Sequence, residues 1–445
     1  MEHFVDKVTT KLLNLALQKL QKRHPLLRTR IEVDDKQIAW FTSERVPEIP
    51  IQVISRSSND QLIQLCLGER KIPFSIEKGP LIRFILLQSS DFSDLVILGS
   101  HAICDGLALV YLTRDIMYHL GDPQREVELL PEPLSLVDFL PPKTANFLVK
   151  MLFNRINKKW EKDKVIFDEE DFQNIVQIYW KLNSPGMFIW EISESQTSTL
   201  VERCRKEGVS VNTAILTAFA AAQYEIQGST KPYLHKFGIA VNVRNRLTKP
   251  IGELLGSYAS TIDPTLKYRP EKPFWDMTRT FQHKINQQLK GNKFLNRTVF
   301  MKYLDQTFFP ALVYWAYGKD VSPSSSRYEK LSTFSNDKNN AVASFAASLA
   351  RSINLDSPTT GLMTTNLGRT IFPEKYGSLE LANLMFLPGG SRTYEKILGI
   401  ITACGKLNFT LSYLENVIDT STMKKVKDKA MNHLKNEVGW PDTPI

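Results

Sequence analysis

Ser100-His-Ala-Ile-Cys-Asp-Gly106 places an imidazole, a thiol and a carboxylate within five positions. It follows Asp94-Leu-Val-Ile-Leu-Gly99, an apolar run of the kind that forms a buried strand. An imidazole with an ordinary pKa of about 6.5 exchanges its proton near neutrality, and a strand end leading into a loop presents it to a cleft. His101 is therefore a candidate general base. Asp105 either orients the imidazole ring or pairs with a distant arginine and braces the loop. Gly106 supplies backbone freedom, or room for the next helix to start close to a substrate. Cys104 beside His101 is a conceivable nucleophile, although neighbouring loop side chains point in different directions. The ordinary alternative is a histidine that satisfies a local hydrogen bond, and His3, His24, His119, His235, His283 and His433 are read that way because none sits beside a partner motif.

Other chemistries lack their residues. There is no GxSxG elbow for a serine nucleophile, no Walker loop and no GxGxxG fingerprint. Cys66, Cys104, Cys204 and Cys404 show no CxxC spacing, so neither zinc nor a disulfide framework is indicated, and the loop offers too few ligands for a metal. A histidine base acting without covalent catalysis and without a bound cofactor is what remains.

The elements that must hold this loop are mixed. Val5, Val8, Leu12, Leu13, Ala16 and Leu20 recur at helical spacing over residues 4–23, and His24-Pro25 stops that helix. Strands are expected over 26–33 and 38–41, after the Gly79-Pro80 turn to residue 88, and over 94–101. Helices are expected over 60–69 and 107–119. Five prolines between 123 and 142, the basic amphipathic stretch 146–160 and the acidic run Asp168–Asp171 mark residues 120–186 as a crossover and linker. The α/β logic then restarts with a strand at 187–192, a helix from Ser195 to about Arg205, a small-residue helix over 212–225, strands at 237–246, 361–369 and 407–415, and a closing basic helix. The expected organisation is an N-terminal half, 1–186, carrying the histidine loop, and a C-terminal half, 187–445, each with its own mixed sheet flanked by helices.

The 445 residues are 42% hydrophobic and 23% charged, as in ordinary globular chains. No run of about 18 apolar residues suggests a membrane-spanning helix, and the first residues lack a secretory pattern, so a cytoplasmic protein is expected. The formal charge of +9 is spread along the chain without a nucleic-acid motif. It suits coenzyme A, an acidic carrier protein or an anionic membrane equally well. Residues 146–160 either pack on the first half or touch a membrane surface with Phe147, Leu148, Met151 and Leu152.

His101-Ala-Ile-Cys-Asp105-Gly106 matches HxxxDG, the signature of the chloramphenicol acetyltransferase-like superfamily, which includes condensation domains and CoA-dependent acyltransferases. The resemblance extends to residues 16–32, 72–87, 204–222, 240–260 and 364–381, and is nearest to stand-alone alcohol acetyltransferase-like and polyketide-associated members. It implies two similar half-domains in a V, a monomeric pseudo-dimer with a tunnel between the halves and His101 at its middle. It also implies an acyltransferase of secondary metabolism that moves an acyl group from CoA or a carrier protein to a hydroxyl, less readily an amine, making a lipid or polyketide ester. His101 would be the base, and Asp105 would pair with an arginine of the second half, Arg244 on the strand Val241–Arg246, with Arg246 in reserve. Asn366 and Gly368 would lie on the tunnel wall or make a structural turn. Members usually carry a strand before the first helix, and this chain begins almost at that helix. That departure keeps open a catalytically inactive protein that recruits a partner or carrier.

Overall fold

A computed structural model describes residues 1–5, 8–35, 38–142, 144, 147–350, 358–370 and 372–440. Its strands, in chain order, are β1 (Glu2–Val5), β2 (Arg30–Val33), β3 (Ala39–Thr42), β4 (Ile51–Ser55), β5 (Ile82–Gln88), β6 (Phe92–Gly99), β7 (Pro185–Ile192), β8 (Phe237–Asn242), β9 (Ala259–Ile262), β10 (Thr360–Arg369), β11 (Lys375–Tyr376), β12 (Leu379–Leu384), β13 (Tyr394–Ala403) and β14 (Lys406–Leu414). They form a six-stranded sheet in the order β11-β12-β1-β6-β5-β4, a second in the order β7-β14-β13-β10-β8-β9, and the hairpin β2-β3. The helices are α1 (Thr10–Arg23), α2 (Asn59–Glu69), α3 (Gly106–Gly121), α4 (Phe147–Asp163), α5 (Glu169–Leu182), α6 (Glu194–Lys206), α7 (Val211–Gln227), α8 (Phe274–Leu289), α9 (Val299–Tyr303), α10 (Phe308–Tyr317), α11 (Tyr328–Asn336), α12 (Ala341–Ala350) and α13 (Thr420–Val438).

Composition explains the central elements. β5 reads Ile-Arg-Phe-Ile-Leu-Leu-Gln and is buried along most of its length between parallel β4 and antiparallel β6. In α7, every residue from Thr213 to Gln223 is buried, as its alanines and small side chains allow. One hydrophobic core lies between α7, α8, α13 and the second sheet, and another between α1, α3 and the first sheet.

Several expectations need correction. Residues 4–23 are not one helix. Thr9 caps α1 by accepting from the Leu12 amide, and residues 2–5 form β1. Four residues of apolar pattern suit either conformation, and the open slot between β12 and β6 decides for a strand. Residues 25–28 form a 3₁₀ turn, with Pro25 in its first turn, ahead of β2. The strand expected over 237–246 ends at Asn242, and Arg244–Arg246 is a 3₁₀ turn. The split at 186 also does not separate the sheets, because β11 and β12, from residues 375–384, belong to the first one.

Residues 120–186 do more than connect. α4 and α5 pack with α10, α11 and α12 into a separate helical core. Trp160, fully buried, sets its ring edge against Phe308 and Phe334 and donates to Thr307 Oγ1 at 2.9 Å. Phe153 and Ile156 face the same core, whereas Phe147, Leu148, Met151 and Leu152 are exposed; Asn146 lies outside the described residues. The halves are joined by a polar cluster as well as by packing. Arg114 of α3 donates to both carboxylate oxygens of Glu253 at 2.6 Å, and Arg23 and His24 donate to Asp115 at 2.7 and 2.9 Å.

Candidate active site

β6 ends at Gly99, and the chain turns at once. The Ile103 and Cys104 amides both donate to the Ser100 carbonyl, and buried Ile103 pins the turn to the first core. His101 sits at the outside of this turn, exposed. Its Nδ1 lies 3.3 Å from Ser257 Oγ of the second half. When Nδ1–H donates to that hydroxyl, Nε2 is left as the proton acceptor, which is the tautomer a base needs.

Asp105 does not orient the ring. It is buried, caps α3 by accepting from the Ala108 amide at 2.8 Å, and receives both terminal nitrogens of Arg244 at 2.8 and 3.0 Å. The Tyr258 amide donates to the same carboxylate at 2.9 Å, and the Asp105 amide donates to the Gly256 carbonyl at 3.0 Å. Arg244 is 2% exposed and lies 4.9 Å from the Tyr258 ring centroid. A bidentate guanidinium–carboxylate pair in such surroundings gives both energy and registration. Gly256 has φ +143, and a Cβ there would lie 2.5 Å from the Tyr258 ring, so both space and backbone require glycine.

Gly106 opens α3. Its requirement is space: a Cβ would lie 2.8 Å from Leu367 Cδ2 and 3.0 Å from Phe386. Cys104 is removed as a nucleophile, because it is buried, donates to the Ser100 carbonyl and has its thiol pushed up to about 12 by burial.

His101 opens onto a cavity of about 480 Å3. Its walls are largely apolar, with Phe74, Ile97, Leu109, Leu367 and Phe386, and α5 closes one side through Phe172, Val176 and Trp180. The segment expected to be a linker thus supplies part of the site. Leu367 lines this cavity, whereas Asn366 turns to Asn212 and Gly368, at φ +75, donates to Asn366 Oδ1. Neither Asn366 nor Gly368 is among the residues lining this cavity, and their contact matches the structural-turn alternative of the two sequence readings. Ser257 and Tyr258 carry no signal in the sequence. The stretch Gly256-Ser-Tyr258 lacks any local pattern that signals a partner 156 positions away. Among the described residues, no cluster of three or more metal-ligating side chains is present, and no helix is long and apolar enough to cross a membrane.

The Condensation domain family model matches residues 1–135. Phosphinothricin tripeptide synthetase PhsC of Streptomyces viridochromogenes is 24% identical over 288 residues, covering 61% of this chain and 25% of that protein. Cyclosporin synthetase simA of Tolypocladium inflatum is 26% identical over 272 residues, covering 55% of this chain and 2% of that protein. This chain spans a quarter or less of the length of these curated relatives. The epimerization domain from the third module of tyrocidine synthetase B superposes with a TM-score of 0.60 at 13% identity, over 98% of this chain and 90% of that one. The polyketide synthase associated protein 5 from Mycobacterium tuberculosis gives 0.57 at 12% identity, over 98% and 93%. The fold over the full length is therefore the mixed α/β fold of condensation domains, with two chloramphenicol acetyltransferase-like halves. A strand, β1, does precede α1 in the described residues.

Proposed function

We propose that the protein is an acyltransferase that moves an acyl group from a thioester to a hydroxyl, with an amine as the second choice of acceptor. The observation that carries this reading is the exposed His101, held through Nδ1 by Ser257, at the mouth of an apolar cavity. Nε2 takes the proton from the acceptor hydroxyl as its oxygen attacks the thioester carbonyl. The tetrahedral adduct then expels the thiolate, which recovers the proton from the imidazolium. The ester and a free thiol are the products, and the histidine returns to its neutral form. The relatives' names, a peptide synthetase and a polyketide-associated protein, support a thioester donor on a carrier, with coenzyme A as the alternative carrier.

Thiol release from acyl-CoAs and acyl-carrier proteins of graded length, with alcohols and amines as acceptors, tests the reading. Wild type should release thiol in an acceptor-dependent way, and His101→Ala should be about 10²–10⁴-fold slower. Equal release from both would overturn the assignment. The exposed edge of α4, Phe147, Leu148, Met151 and Leu152 beside Lys150, Arg155 and Lys158, is proposed as the surface for peripheral membrane contact. Sedimentation with anionic but not neutral vesicles is the expected result, and no pelleting with either would remove that contact.

A further inference from the structure

Arg70 follows α2 and stands in the wall of the cavity that also holds His101. Its terminal nitrogens donate to the Pro388 carbonyl at 2.7 Å and to Ser412 Oγ at 3.2 Å. Both acceptors are neutral, and among the described residues no carboxylate pairs with it. Arg83, in the same wall, shows the contrast: Glu69 lies 2.9 Å from its Nε, and its guanidinium stacks 4.6 Å above Phe74. Burial pulls Arg70 down to about 10, so it still carries its charge at neutral pH.

A structural role explains part of this. A cation at a helix C-terminus is favoured by the helix dipole, and the two hydrogen bonds fasten the loop after β12 to β14. A glutamine would fill such a brace without a half-buried charge facing apolar walls. A guanidinium has five N–H groups in a fork that matches a carboxylate, and only two of these five make hydrogen bonds to described residues.

We propose that Arg70 receives a carboxylate carried by the substrate, so that the cavity selects an apolar chain bearing an acidic group. This rests on the reading that the cavity receives substrate. The carboxylate belongs either to the far end of the acyl chain or to the acceptor.

Binding to the whole chain tests this without requiring turnover. Calorimetry with octanoate and methyl octanoate, on wild type and on His101→Ala, should show octanoate about 10–100-fold tighter on both, as a charge-assisted hydrogen-bond pair implies. Arg70→Met should lose that preference while binding methyl octanoate unchanged, and Arg70→Lys should keep most of it. Equal affinity of wild type for the two probes, or an undiminished preference in Arg70→Met, would overturn the assignment. If Arg70→Met does not fold, the wild-type comparison alone decides. Thiol release then locates the group. Suberoyl-CoA favoured over octanoyl-CoA places the carboxylate on the donor, and a hydroxy acid favoured over its methyl ester places it on the acceptor. Preference for octanoate with no thiol release from any donor would end the acyltransferase reading and leave the Arg70 site standing.

Discussion

Arg244 and Arg70 both reach the region around His101, and the protein compensates their charges differently. Arg244 has a bidentate carboxylate, a backbone carbonyl and the face of Tyr258. Arg70 has one carbonyl and one hydroxyl, at the edge of a cavity. Burying a charge is costly unless it is paired, so the arginine with a carboxylate partner belongs to the scaffold and the one held only by neutral acceptors is poised for a partner from outside.

The widest separation between the two is in stability. Asp105→Ala leaves Arg244 buried without its counter-charge and two amides without their acceptor, and should cost about 3–5 kcal/mol, read by denaturant unfolding. Arg70→Met removes no ion pair and should stay within about 1 kcal/mol. An Asp105→Ala protein with wild-type melting temperature but no activity would show that the brace serves chemistry rather than folding. His101→Ala is the complementary case, with no stability change expected and the loss in thiol release confined to rate. A fall in its melting temperature would make the histidine part of the scaffold.

Gly106→Ala comes next. Its methyl meets Leu367 and Phe386, and overpacking at the start of α3 should cost about 1–3 kcal/mol and shrink the cavity. An unchanged preference for chain length in this variant would place the acyl chain elsewhere. The cluster between the halves gives a pH test. Burial would raise the Asp115 carboxyl, but the hydrogen bond from His24 and the charges and hydrogen bonds of Arg114 and Arg23 outweigh it and hold it below the usual range. Because its folded pKa is depressed, its stabilisation is complete well above the unfolded value of about 3.9 and is lost as pH falls below it. Asp115→Asn should therefore flatten the acid limb of the stability curve, and an unchanged limb would show that other carboxylates govern it. The smallest effect is expected at Ser257. Ser257→Ala should lower kcat by less than about tenfold, because the hydroxyl selects a tautomer rather than moving the proton. A loss as large as that of His101→Ala would give Ser257 a direct part in the reaction.

Much of the site was legible because it is local. An apolar strand ending in a histidine, an aspartate where a helix begins and a glycine directly after it carry their own meaning within seven residues. Naming Arg244 depended on a family resemblance, since 139 residues separate it from Asp105, and the sequence placed it on a strand that ends two residues earlier. In the sequence, the helical layer of α4, α5 and α9–α12 reads as a linker or carries no signal. Its prolines and charged runs look like connection until Trp160 finds Phe308 and Phe334.

By itself, the sequence determined the elements whose hydrophobic period exceeds a few residues, and the loop in which neighbours along the chain are also partners. Only the tertiary structure decided that residues 2–5 form a strand, that β12 crosses into the first sheet, that Ser257 meets the imidazole and that Arg70 finds no carboxylate among the described residues. Each of these depends on what fills the space beside a residue, and that space is bounded by chain far away in sequence.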